Sequence, residues 1–147
     1  MAAHTRVIPP SKKDNITMKI VAVTGGRKYN NEAVVYKTLD GVLATYGDIC
    51  IVEGGATGAD RLCRYWAMAR KVQHYTENAD WKNLSHKDAY VKHGAYGPYD
   101  ANAGARRNQK MIDQYKPTLL VAFPGGHGTA NMKTLARKAG IKILEAQ

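Results

Sequence analysis

Two cysteines and one phenylalanine are all that this chain holds of either residue, so neither a disulfide framework nor a phenylalanine-rich core is available to it. Cys50 and Cys63 fall in what read as a buried strand and an amphipathic helix, where a free thiol behaves as a small hydrophobe. No uncharged apolar run approaches the roughly 20 residues needed to cross a bilayer. The opening MAAHTRVIPPSKKDN lacks the apolar stretch of a secretory signal. A cytoplasmic protein without a membrane partner is therefore expected. His74, His86 and His93 are scattered without metal-ligand spacing, and neither a metal nor a cofactor is expected. No Walker sequence, GxSxG elbow or paired-carboxylate motif occurs, which removes the commonest kinase and hydrolase readings. Acidic residues are also scarce, 12 against 22 lysines and arginines. The resulting formal charge of +10 favours anionic partners, whether small phosphorylated ligands or nucleic acid.

What the chain does have is glycine at regular intervals. Its 147 residues suit a single domain with one core, and 44% hydrophobic with 23% charged residues is ordinary for a globular chain. Residues 1–17 are polar and basic, carry Pro9 and Pro10, and read as a flexible basic arm. From Met18 onward, short apolar runs each end in a glycine cluster and give way to a helical pattern, the signature of βα units on a parallel sheet. The expected strands are 19–24, 49–53, 72–76, 118–123 and 141–144. The expected helices are 32–46, 60–71, 105–115 and 129–139. Between them, residues 77–103 break the rhythm with Trp81, Tyr90, Tyr96 and Tyr99. This stretch reads as an aromatic-rich cap with one short helix near 85–92. The expected fold is α/β, a Rossmann-like three-layer arrangement on a parallel sheet of about five strands.

In such a sheet ligands bind beyond the carboxyl ends of the strands, where helix N-termini converge. Three glycine-rich segments fall at those ends: Gly25-Gly26-Arg27, Gly54-Gly55-Ala56 with Gly58, and Pro124-Gly125-Gly126-His127-Gly128-Thr129. Glycine permits close backbone approach, and the following helix offers unpaired N–H groups and partial positive charge to a phosphate. Arg106, Arg107 and Asn108 open another helix at the same edge. Of the two arginines, Arg107 lies one turn from Met111 and so should face the crevice while carrying little of the core. Glu53 and Asp60 are the weak catalytic candidates. Asp60 could equally accept ribose hydroxyls or favour its own helix N-terminus, and His127 could donate to a phosphate or stay exposed.

The segments VTGGRKY, VEGGATGADRLCRYWA, ADW, AGARRNQKMID and VAFPGGHGTANM, in that order, resemble the YspA-like branch of the SLOG superfamily. That superfamily includes the Lonely Guy phosphoribohydrolases and the DNA-processing protein A family. The resemblance implies a Rossmann-like domain over 18–147 and nucleotide chemistry. It assigns Gly125, Gly126, Gly128 and Thr129 to a phosphate-binding PGGxGT motif and Arg107 to a ligand-facing position. One departure bears on activity: the Lonely Guy enzymes place a catalytic glutamate three residues after that threonine, and here Met132 stands there, preceded by Asn131. A carboxylate would stabilise the charge that builds on ribose during N-glycosidic cleavage. The leading expectation is accordingly a sensor or sequestering protein for a nucleotide-derived signal of the ADP-ribose or cyclic-nucleotide type, working as a homo-oligomer. An N-glycosidase acting on nucleoside monophosphates and a single-stranded nucleic-acid binder remain as alternatives.

Overall fold

The computed structural model describes residues 18–147, and the expected arm, residues 1–17, lies outside them. The chain runs β1 (Lys19–Thr24), α1 (Glu32–Tyr46), β2 (Ile49–Glu53), α2 (Ala59–Arg70), β3 (Gln73–Thr76), β4 (Val91–Gly94), β5 (Gly97–Asp100), α3 (Ala103–Tyr115), β6 (Leu119–Ala122), α4 (His127–Lys138) and β7 (Lys142–Glu145). Five strands pair in parallel in the order β3-β2-β1-β6-β7. The Rossmann-like α/β fold expected from the βα rhythm is the fold observed.

Strand alternation divides the core in two. Val21, Val23, Ile49, Ile51, Leu119 and Val121 face one way and pack on Val35 and Leu39 of α1 and on Cys63 and Trp66 of α2. Ala22, Cys50, Val52 and Leu120 face the other way, against Met111, Ile112 and Tyr115 of α3 and Met132 and Ala136 of α4. Helices thus cover both faces, as central parallel strands require. Spacing explains each helical stripe: Val35, Leu39 and Val42 recur every three or four residues on α1. The Asn31 side chain caps α1 by accepting from Val34 N at 3.1 Å, and Gly47 ends the helix at φ +79°. Trp66 Nε1 donates to Asp40 Oδ1 at 2.8 Å, tying α2 to α1. Both cysteines are buried and unbridged, and burial pushes the Cys50 thiol up to about 12.

Because β1 pairs with β2 on one side and β6 on the other, the strand order reverses there, and the carboxyl ends of β1 and β6 are the switch point at which parallel α/β sheets bind ligands. The excursion over 77–103 corrects one expectation. Residues 85–92 form turns instead of a short helix, and Val91 begins an antiparallel hairpin, β4–β5. The cause is local. Asn83 accepts from Ser85 N at 3.1 Å and His86 Nδ1 from Asp88 N at 3.1 Å, side-chain turns that compete with helix. Gly97 at φ +105° then closes the hairpin.

Candidate functional site

The three glycine loops lie together at one end of the sheet and are knitted to one another. Gly26 N donates to Pro124 O at 2.8 Å, Ala59 N to Gly26 O at 3.0 Å, and Thr57 Oγ1 to Arg27 O at 3.0 Å. Not every glycine leaves room for a ligand. A side chain at Gly54 would collide with the Arg107 guanidinium, and one at Gly125 with the Thr129 hydroxyl, so these two are small because the protein itself fills the space. Gly126 and Gly128 are different. A Cβ at either would meet nothing within 4 Å.

That contrast singles out the start of α4. Gly126 is its cap residue, no side chain caps it, and its first backbone bond runs from Ala130 N to Gly126 O at 3.0 Å. The N–H groups of the opening turn, His127 to Thr129, are therefore left for an outside acceptor. His127 is exposed and Thr129 buried. At the start of α2, by comparison, the first N–H is already taken by Gly26 O.

The two carboxylates occupy different environments. Glu53 is fully buried with both oxygens engaged: Oε1 accepts from Gly55 N at 2.6 Å and pairs with Arg64 at 3.2 Å, while Oε2 accepts from the Thr76 hydroxyl. Asp60 lies in the first turn of α2, yet its Oδ2 turns back to accept from Gly54 N at 3.1 Å and Ala56 N at 3.3 Å. Its other oxygen, Oδ1, is buried without a hydrogen-bond partner. Burial, reinforced by the neighbouring Glu53, pushes the Asp60 carboxyl up to about 6, with Arg107 and the two N–H groups opposing.

Arg107 reaches the strand ends as the helix phase predicts, but its job there is structural too. Nη1 donates to the Gly54 carbonyl and, at 3.4 Å, to Glu77 O, while Nε donates to Asn108 Oδ1 at 3.0 Å. The expectation that Arg107 carries little of the fold is thereby corrected, since a half-buried guanidinium that satisfies a loop carbonyl is part of the frame. Burial pulls its pKa down, with Asp60 as the main opposing charge. Asn108 is buried and bridges α3 to α4, its Nδ2 donating to Asn131 Oδ1 at 2.9 Å and Gly128 O at 3.3 Å. Arg106 turns instead to Asp100 in the excursion.

Sequence reasoning missed two features, the anchoring of Glu53 and the packing of Trp81. Arg64 and Thr76 hold Glu53, and Arg27 lies over the Trp81 ring at 5.0 Å, so the excursion forms a wall at the β1 loop. The ADW motif signalled the second, because a tryptophan just past a strand end must pack on a neighbouring loop. Trp81 does so on Tyr99, edge to face at 6.3 Å, and on Gly104. Met132 is buried in the core beneath α4, so position 132 presents no acid to the crevice. Among the described residues no cluster of histidine, cysteine, aspartate and glutamate could hold a metal, and no helix is long and apolar enough to cross a membrane.

Comparison with known proteins bears on this arrangement. Residues 19–84 match the YspA, cpYpsA-related SLOG family. The resemblance read from the motifs is shown for β1 through β3 and both of their loops. The Gene 61 protein of Mycobacterium phage D29 is 29% identical over 131 residues, covering 86% of this chain and 95% of the phage protein. Its span reaches well beyond residues 19–84. Among solved structures, MurG of Acinetobacter baumannii aligns with a TM-score of 0.50 at 15% identity. That alignment covers 86% of this chain and 34% of MurG, so the chain spans about a third of that enzyme. A hydrogenase C-terminal domain from Pyrococcus furiosus follows at 0.48 and 11% identity, covering 99% of both chains. At such identities the first shows shared α/β architecture alone, and the second carries no argument.

Proposed function

We propose that the crevice between the β1 and β6 loops binds a phosphate-bearing, nucleotide-derived small molecule of the ADP-ribose or cyclic-nucleotide type, which the protein senses or sequesters. The observation that carries this reading is the open start of α4. Gly126 and Gly128 face free space, the opening N–H groups have no cap, and the helix dipole adds partial positive charge. Arg27 stands on the adjoining loop, and the match of residues 19–84 to a SLOG family points to nucleotide-related ligands. Glycosidic cleavage is the second reading, favoured by one feature: Asp60 is a buried acid with a free oxygen and a carboxyl raised to about 6, suited to proton transfer near neutral pH. Against it stands Met132, where a catalytic glutamate would be needed.

The test is Gly126→Asp, titrated calorimetrically with ADP-ribose and with cyclic nucleotides. Gly126 lies outside the left-handed region, at φ −102°, and a Cβ there would meet nothing within 4 Å. Aspartate is a favoured helix cap, so the variant should be at least as stable as the parent. Its carboxylate would occupy the phosphate position, and affinity should fall by about tenfold or more. Unchanged affinity would place the phosphate elsewhere. Release of free base from nucleoside monophosphates, abolished by Asp60→Asn, would establish the second reading.

A further inference from the structure

The crevice leaves the aromatic hairpin unexplained. Of the seven large hydrophobic side chains that the described residues expose, four lie in the 77–103 excursion: Leu84, Tyr90, Val91 and Tyr96. Tyr96, at the hairpin tip, is 93% exposed and Tyr90 is 58% exposed. An aromatic ring held almost wholly in water contributes nothing to a core, and here one stands at the base of the hairpin and one at its tip. The hairpin is not loosely attached. Asp100 accepts from Tyr90 N and Asn102 N at 2.9 Å each and pairs with Arg106, and Asp100 N donates to Trp81 O at 2.8 Å. The rings are therefore presented from a fixed platform.

The charges around them are mainly positive. Lys82 Nζ donates to the Tyr96 carbonyl at 3.2 Å, and Lys92 Nζ lies 5.4 Å from the Tyr90 ring centre. Lys87, His86 and His93 are exposed on the same excursion, with Asp88 the one exposed carboxylate between Lys82 and Asp100. At the foot of the excursion a groove of about 660 Å³ runs along α3; it is lined by three carboxylates, Glu77, Asp80 and Asp113, with Lys110 paired to Glu77 at 2.9 Å, so the basic surface belongs to the excursion and not to this groove.

We propose that this excursion is a second binding site, for a single nucleic-acid strand without base preference. Tyr90 and Tyr96 offer stacking faces, and Lys82, Lys87 and Lys92 neutralise phosphates. Aromatic rings interleaved with lysines suit such a strand, because every base has a π-face and every linkage a charge. A second copy of this chain would bring lysines against lysines, which disfavours it as occupant.

Fluorescence anisotropy with a labelled oligothymidylate of about 15 nucleotides tests this. The wild-type chain should bind, with log affinity falling by about 2 per decade of salt if three phosphates are neutralised. Tyr90→Ala with Tyr96→Ala should weaken binding by about tenfold per ring, and the paired phenylalanine variants should retain it. Tyr96→Ala alone guards against misfolding, since so exposed a ring leaves the melting curve where it was. Failure of the wild-type chain to bind at low salt, or equal affinity for wild type and the alanine pair, would overturn the proposal. A sedimenting dimer lost in the alanine pair, without strand binding, would overturn it in favour of self-association.

Discussion

Asp60 is the residue on which chemistry and stability meet. Two loop N–H groups share one of its oxygens while the other is buried and unpaired, an arrangement that folding alone would not favour. Its folded pKa, about 6, lies above the ordinary 3.8, so the native state binds the extra proton. Stability from this group is present in full below pH 3.8 and is lost as pH rises through about 6, by about 3 kcal/mol. Asp60→Asn keeps an acceptor for Gly54 N and Ala56 N and removes the titration. The difference in unfolding free energy between wild type and variant, measured in urea across that range, should shift in the variant's favour as pH rises. A pH-independent difference would mean that Asp60 is ionised throughout. Arg107 makes the opposite case. Arg107→Ala strands the Gly54 and Glu77 carbonyls, and it should cost about 1–3 kcal/mol of stability by denaturant titration in addition to any loss of ligand.

At the scale of elements, the hairpin depends on one carboxylate. Burial disfavours the charge on Asp100, but Arg106 and the N–H groups of Tyr90 and Asn102 outweigh it and hold the carboxyl at about 2. This group is therefore ionised throughout the working range, and its contribution is lost only as pH falls from 3.8 through about 2. Asp100→Ala should free the excursion while leaving the sheet intact. Trypsin should then cleave after Lys82, Lys87 or Lys92 faster by about an order of magnitude, with a parallel melting curve unchanged in its main transition. Simultaneous collapse of both would show the hairpin to be part of the core. The same element marks where the sequence stopped being legible. Alternating faces and glycine punctuation fixed β1 to β3, α1, α2 and the sheet class, because those signals are local. Residues 85–92 misled, since a polar run with Tyr90 and Val91 near its end fits a helix by composition, whereas Asn83, His86 and Gly97 commit it to turns. At the site, adjacency of the three loops was readable. Which of them stays open was not, because that depends on Asp60 and Arg107 filling the Gly54 loop from other elements.

At the scale of the whole molecule the question is how a chain of charge +10 chooses between a small anion and a strand. A positive surface field raises encounter with either, so charge alone does not discriminate. Contact number does. A ligand seated on the start of α4 presents one or two phosphates to one helix end and to Arg27, whereas a strand meets lysines along its length. Log affinity falls with log salt by about 0.7 for each strand phosphate neutralised. Calorimetric titrations of ADP-ribose at a series of salt concentrations should therefore give a slope of about 1.4 or less for its two phosphates, shallower than that of the strand. A slope beyond about 4 would show that the measured ligand spreads over the basic surface and is not held in the crevice. Binding should also appear as stabilisation, because the crevice is assembled from loops after β1, β2 and β6 that separate on unfolding. At a ligand concentration about 100 times Kd the native state gains about 2.7 kcal/mol, and for a domain of this size each kcal/mol raises Tm by about 2–4 °C. The wild-type chain with saturating ligand should melt about 5–10 °C higher. At the same ligand concentration Gly126→Asp, with affinity about tenfold lower or worse, should gain at most about half as much, since its own carboxylate already occupies the helix start. An equal rise in both proteins would mean that the ligand stabilises through some other surface, and the start of α4 would lose its role.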